Sequence, residues 1–169
     1  MKKFLYVLFY PIILIYKFCF KLKVKHFFCE VTIEKIDTLS GRDFEELVEL
    51  IFKFSGYKTK LTKASSDYGA DVIATKNGVT VAVQTKLYYN HQVGNSAVQE
   101  VNSALKYYNA NFACVVTNWK FSAQAKNLAK VENVVLLDRT DLINFLTCVQ
   151  NGEKEKVFCG LVKQFKINA

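Results

Sequence analysis

Asp71, Gln84 and Lys86 are the residues of this 169-residue chain best suited by type and spacing to a reactive site. The run Val79-Thr80-Val81-Ala82-Val83-Gln84-Thr85-Lys86 reads as a buried β-strand carrying polar side chains where apolar ones would pack better. Side chains alternate along a strand, so Gln84 and Lys86 point to the same side. A carboxylate, an amide oxygen and an ammonium converging on one spot would seat a hard metal ion and a water. That is the chemistry of metal-assisted phosphodiester hydrolysis.

The elements around these residues decide whether they meet. Asn77-Gly78, between two β-branched runs, predicts a two-residue hairpin. With that turn, Lys76 pairs with Val79 and Asp71 falls opposite Gln84, at one end of an antiparallel ladder. Upstream, Ser40-Gly41-Arg42-Asp43 has the form of a capping box. Phe44, Leu47, Val48, Ile51, Phe54 and Ser55 then share one helical face, and Gly56 ends the helix. Tyr57 to Thr62 is a strand, and residues 65–69 form a turn-rich loop leading to Asp71. Downstream, Ser96 caps a second helix, Phe112 to Thr117 is a strand and Ser122 opens a third helix. Val134 to Leu137 is the fifth strand, and Thr140 or Asp141 opens the last helix. The pattern α-β-β-β-α-β-α-β-α predicts an α/β fold: a mixed β-sheet flanked by helices.

Gly41-x-x-Phe44-Glu45, Gly56-Tyr57, Ser66-Asp67-x-Gly69-x-Asp71 and Gln84-x-Lys86 stand in that order along the chain. Together they resemble the catalytic core of the Mrr-like restriction endonucleases, within the wider restriction-endonuclease-like, PD-(D/E)xK-type nuclease fold with its αβββαβ core. Val93-Gly94, Val116-Thr117-Asn118 and Phe121-Ser122-x-x-Ala125 extend the likeness, which spans roughly residues 38 to 146. The resemblance implies an Mg²⁺-dependent DNA endonuclease, with Mn²⁺ as a substitute ion and double-stranded DNA as substrate. By the same resemblance Asp71, Gln84 and the Thr85 main-chain carbonyl are metal ligands, and Lys86 polarises the attacking water. Glu45 is the first-helix acid, acting on the metal through water. Surface salt bridging would account for Glu45, Glu46 and Glu49 equally well, with Glu46 and Glu49 turned further outward. Asp67 is read as ordering its loop, and His91, Trp119, Lys58, Lys60, Lys63 and Lys120 as candidate DNA contacts. A structure-selective repair nuclease of the junction-resolvase type and a catalytically silent DNA-binding module are the alternatives. Cutting a duplex takes two active sites, so two copies of the chain are expected to pair.

The net charge of +8 sits mainly at the ends. Residues 1–36 hold seven Lys against two Glu, and residues 151–169 four Lys against two Glu. The stretch between is nearly neutral, so the basic balance says little about nucleic acid. Residues 4–20 are almost continuously apolar, interrupted by Lys17 and followed by Lys21, Lys23 and Lys25. They are just long enough for a single membrane-spanning helix; an in-plane segment is the alternative. No small-x-small cleavage site follows, and the flanking lysines place the main domain on the cytoplasmic side. The expected organisation is an N-terminal hydrophobic anchor over 1–25, a linker over 26–37, the nuclease domain over 38–150 and a tail over 151–169. Five scattered cysteines without a CxxC pair read as reduced thiols.

Overall fold

Ser40 opens the first long helix of the computed structural model, which describes residues 31–62, 68–153 and 155–157. The Ser40 hydroxyl accepts from the Asp43 amide at 3.1 Å and the Asp43 carboxylate accepts from the Ser40 amide at 3.4 Å, completing the expected capping box. This helix, α2 (Gly41–Phe54), follows a single turn, α1 (Ile33–Ile36), and buries Phe44, Leu47, Val48, Ile51 and Phe52. One assignment on it differs from the helical wheel. Glu49 is buried rather than turned outward: its Oε1 accepts from Thr59 at 2.8 Å and pairs with Lys53 at 2.9 Å. The adjoining strand covers that flank of the helix, which a wheel drawn for an isolated helix leaves open.

The strands are β1 (Lys58–Leu61), β2 (Val72–Lys76), β3 (Val79–Lys86), β4 (Phe112–Thr117) and β5 (Val134–Leu137). They form one mixed sheet in the order β1-β2-β3-β4-β5. β2 and β3 are antiparallel, with Lys76 against Val79 and Val72 against Val83, the register that Asn77-Gly78 predicts. β3 is central and runs parallel to β4, which pairs with it through Lys86, whereas the β2 ladder ends at Val83. Helices α3 (Asn95–Tyr107), α4 (Ala123–Glu132) and α5 (Arg139–Gln150) complete the expected element order.

Strand alternation divides the core in two. Val72, Ala74, Val81, Val83, Cys114 and Val116 pack with α1, α2 and α5. Ala82, Ala113, Val115 and Val134 pack with α3 and α4. The result is a sheet between two helical layers. Cys114 and Cys148 are free thiols, and burial pushes the Cys114 thiol far above its usual range.

Two helix starts differ from the sequence expectation. α3 begins at Asn95 with Gly94 as its N-cap and no side-chain cap, so Ser96 lies inside the helix. α5 begins at Arg139, because Asp138 and Asp141 form a second capping box just upstream of the expected start. From the stretch read as a linker, Val31 and Ile36 are buried in the core, as is Val157 from the tail. The expected anchor over 4–20, Asp67 and Lys63 lie outside the described residues. No helix among the described residues is long and apolar enough to cross a membrane.

A polar knot closes the exits of the parallel strands. Arg139 grips Asp37 with two hydrogen bonds, at 2.7 and 2.9 Å, and donates to the Asn118 carbonyl at 2.9 Å. Asn118, fully buried, donates to Asp37 at 2.9 Å and exchanges bonds with the Tyr88 backbone at 2.8 and 2.9 Å. The Arg139 hydrogen bonds hold the Asp37 carboxyl below the usual carboxylate range. A depressed folded-state value stabilises the fold above the unfolded value of about 4 and is lost as pH falls through the lower folded one. Asp37→Asn is therefore expected to cost about 1–3 kcal/mol at neutral pH. Urea unfolding against pH should show the gap between variant and wild type closing below about pH 4. A gap constant down to pH 2 would mean the pair does not titrate with folding.

Candidate active site

Asp71 lies one residue before β2 and is held from both sides. Its amide donates to the Val83 carbonyl at 2.8 Å, and its carbonyl accepts from the Thr62 amide at 2.9 Å. The residue is buried, at 7 % exposure, so its carboxylate requires compensation. Oδ2 receives three donors: the Gln84 amide nitrogen at 2.7 Å, the Thr85 amide at 2.7 Å and the Thr85 hydroxyl at 2.9 Å. The hairpin register thus brings together two residues thirteen positions apart, as the sequence predicts.

The carboxylate also orients Gln84. An ionised carboxylate only accepts, so the amide must present its nitrogen to Asp71 and turn its oxygen elsewhere. Gln84 and Thr85 are themselves buried, at 6 % and 8 % exposure. The hydroxyl and amide of Thr85 act on Asp71, a role the sequence reading did not assign; it named only the Thr85 carbonyl. That carbonyl accepts from Gln84 Nε2 at 3.4 Å.

Lys86 projects to the same side as Gln84. Alternation from Ala82, which packs under α3 and α4, puts both side chains on the α3 face of the sheet. There the Lys86 ammonium meets the Glu100 carboxylate of α3 at 2.6 Å. Glu100 is absent from the sequence-derived site. It belongs to no local motif, and only the fold places it against the strand.

Glu45 stands on α2, in the opposite helical layer, where its Oε2 accepts from Arg42 at 2.8 Å. The candidate DNA contacts divide. Lys58, Lys60 and Lys120 are exposed. His91 is exposed and rests on the Tyr88 ring at 4.0 Å. Trp119 is half-buried beneath the Arg139 guanidinium, 5.7 Å from the ring centre, as part of the polar knot.

Asp71 and the Thr85 carbonyl, with the Gln84 amide oxygen once that amide turns over, are hard oxygen donors with a single carboxylate among them. Among the described residues no three His, Cys, Asp or Glu side chains gather into a metal-binding group. That donor set fits Mg²⁺, which keeps several waters and takes few protein carboxylates, better than a tetrahedral ion of the zinc type.

Residues 36–146 match the family described as Mrr_cat, restriction endonuclease. Among solved structures, the DNA modification-dependent restriction endonuclease AspBHI is 19 % identical with a TM-score of 0.57, over 85 % of this chain and 40 % of that protein. The MspJI restriction endonuclease, solved with a 27-mer oligonucleotide, is 21 % identical with a TM-score of 0.49, over 86 % of this chain and 34 % of that one. AF1548, a protein of unknown function, is 19 % identical with a TM-score of 0.48, over 56 % and 55 %. No curated protein matches the chain. The likeness to AspBHI supports the fold described above, and the chain spans well under two thirds of all three proteins.

Gly69, two residues before Asp71, has φ +89° and sits against α3. A Cβ there would lie 1.9 Å from the Glu100 carbonyl oxygen and 2.9 Å from Ser103 Oγ. Gly78, in the hairpin turn, has a similar φ of +80° but open space around it. Gly78→Ala is expected to cost about 1–2 kcal/mol for the left-handed backbone alone. Gly69→Ala adds a backbone collision and should cost at least about 1–3 kcal/mol more, measured by urea unfolding. Equal costs at the two positions would mean that the loop is not seated on α3 as described.

Proposed function

The chain belongs to the Mrr_cat restriction endonuclease family, and on that premise we propose that it is a metal-dependent DNA endonuclease acting in restriction of foreign DNA. The observation that carries the reading is the buried Asp71 carboxylate bonded to Gln84 at 2.7 Å, with Lys86 on the same strand and the same face. Asp71 and the Thr85 carbonyl would hold the ion, joined by the Gln84 amide oxygen once the amide turns over from its present hydrogen bonds to both. When bound, a divalent ion neutralises charge at the scissile phosphate and makes water a better nucleophile at neutral pH.

The remaining work falls to this chain's own residues. The Lys86 ammonium stabilises charge on the attacking oxygen and on the phosphorane-like transition state. The water oxygen bonds to phosphorus, its proton passing to solvent, as the bond from phosphorus to the leaving sugar oxygen breaks and that oxygen takes up a proton. The Thr85 hydroxyl and amide fix the direction of the Asp71 carboxylate. Glu45 is the outer acid of the reading, acting through water. Two copies of the chain would cut the two strands of a duplex.

Plasmid DNA, methylated and unmethylated, incubated with the full-length chain and Mg²⁺ or Mn²⁺ tests the reaction class. Cleavage should require the ion and fall about 10²-fold or more in Asp71→Ala and in Lys86→Ala. DNA binding unaltered by Asp71→Ala, with no cleavage under either ion, would sink the enzyme reading in favour of a silent DNA-binding module. Cutting of branched but not linear duplexes would favour a repair nuclease.

The lysine-flanked apolar run over residues 4–20 supports tethering to the cell membrane, with the nuclease domain on the cytoplasmic side. The full-length chain should stay with the membrane fraction through an alkaline wash, and deletion of residues 1–25 should release it. Release of the full-length chain by that wash would remove the spanning anchor from the proposal.

A further inference from the structure

Lysine carries its charge on a flexible four-carbon stem, so a strand position alone does not fix where the ammonium sits. In this fold the fixing group comes from α3. The Glu100 carboxylate lies 2.6 Å from the Lys86 ammonium, with the lysine side chain 20 % and the glutamate 43 % exposed. A pair this open to solvent contributes little to folding, so stability alone does not account for it.

The same turn of α3 grips the other arm of the site. The Glu100 carbonyl is the group against which Gly69 seats without room for a Cβ. The Ser103 hydroxyl donates its one proton to that carbonyl at 2.6 Å and lies 3.3 Å from the Tyr68 carbonyl, the alternative acceptor. One turn further, the Tyr107 ring stacks on Tyr68 with centroids 3.8 Å apart. Tyr68 and Gly69 lead directly into Asp71. A single helical turn, Glu100 to Ser103, therefore holds the backbone entering Asp71 and the charged end of Lys86.

We propose that Glu100 is the positioning residue for Lys86, and that the Glu100–Ser103 turn of α3 sets the separation between the Asp71 and Lys86 halves of the active site. The inference rests on the nuclease reading and extends it by a residue that the sequence pattern leaves out. Glu100 reaches the site because Lys86 faces α3. Gln84 is neutral, so Glu100 brings a second carboxylate to the face that Gln84 and Lys86 share.

The test compares full-length wild type with Glu100→Gln, Glu100→Asp and Glu100→Ala, beside Asp71→Ala and Lys86→Ala. One readout is single-turnover cleavage with DNA affinity measured separately; the other is the Lys86 ammonium signal in ¹⁵N-lysine NMR, assigned by its absence from Lys86→Ala. Glu100→Gln should cut about 10²-fold more slowly, with DNA binding no weaker and the melting temperature unchanged. The Lys86 ammonium should exchange slowly in wild type, lose its signal in Glu100→Gln and Glu100→Ala, and partly regain it in Glu100→Asp. Wild-type cleavage by Glu100→Gln, or an unaltered Lys86 signal, would overturn the proposal. If Asp71→Ala and Lys86→Ala cut as wild type does, the nuclease-site reading fails. The ammonium signal then still decides whether Glu100 holds Lys86.

Discussion

Burying the Asp71 carboxylate is the constraint on which the rest of this site depends. A carboxylate on a residue only 7 % exposed is costly unless donors surround it, and three converge on Oδ2. All three come from two consecutive residues of β3. The hairpin register therefore has to be correct to a single residue, since a slip by one would turn Gln84 to the other face. Asn77-Gly78 sets that register at the far end of the ladder, five pairs away from Val72 and Val83. Turn chemistry and burial of charge thus specify the same alignment, one from each end.

Alternation along β3 then assigns each polar residue a helical layer. Gln84 and Lys86 share the face of Ala82, beneath α3 and α4, whereas α2 covers the face of Val81 and Val83. Glu45, read as acting on the metal through water, and Glu100 consequently lie in different layers. Glu45, conspicuous in the sequence motif, sits in the α2 layer with Arg42 as a partner. Glu100, inconspicuous in the sequence, sits in the layer toward which the lysine points.

The strand exits are locked by a different device. Asn118 ties the chain just after β4 to Tyr88, two residues past Lys86, and Arg139 joins both to Asp37 near the chain's first described helix. Every charge in this knot has an opposite partner or an amide dipole. It holds the loop after β3 without using the α3 contacts. The site end of β3 is thus restrained by its ladder partners, by the knot and by α3.

Periodicity, caps and turn residues determined most of the fold: five strands, the order of the helices after Ser40, the hairpin register and the meeting of Asp71 with Gln84. These are local rules, each written in a few adjacent residues, and the family pattern adds Lys86 because it lies two positions from Gln84. Where a local rule had competitors it was less exact, as at Ser96, which yields its cap to Gly94, and at the start of α5. The tertiary structure alone decided what crosses between elements. It buried Glu49 against Thr59, drew Val31 and Val157 into the core and gave the Thr85 hydroxyl to Asp71. It also set Glu100, fourteen residues beyond Lys86, within 2.6 Å of its ammonium. No sequence spacing encodes that last contact, because its length depends on how far a helix lies from a strand, and the packing of the Ala82, Ala97 and Val101 side chains between them fixes that distance.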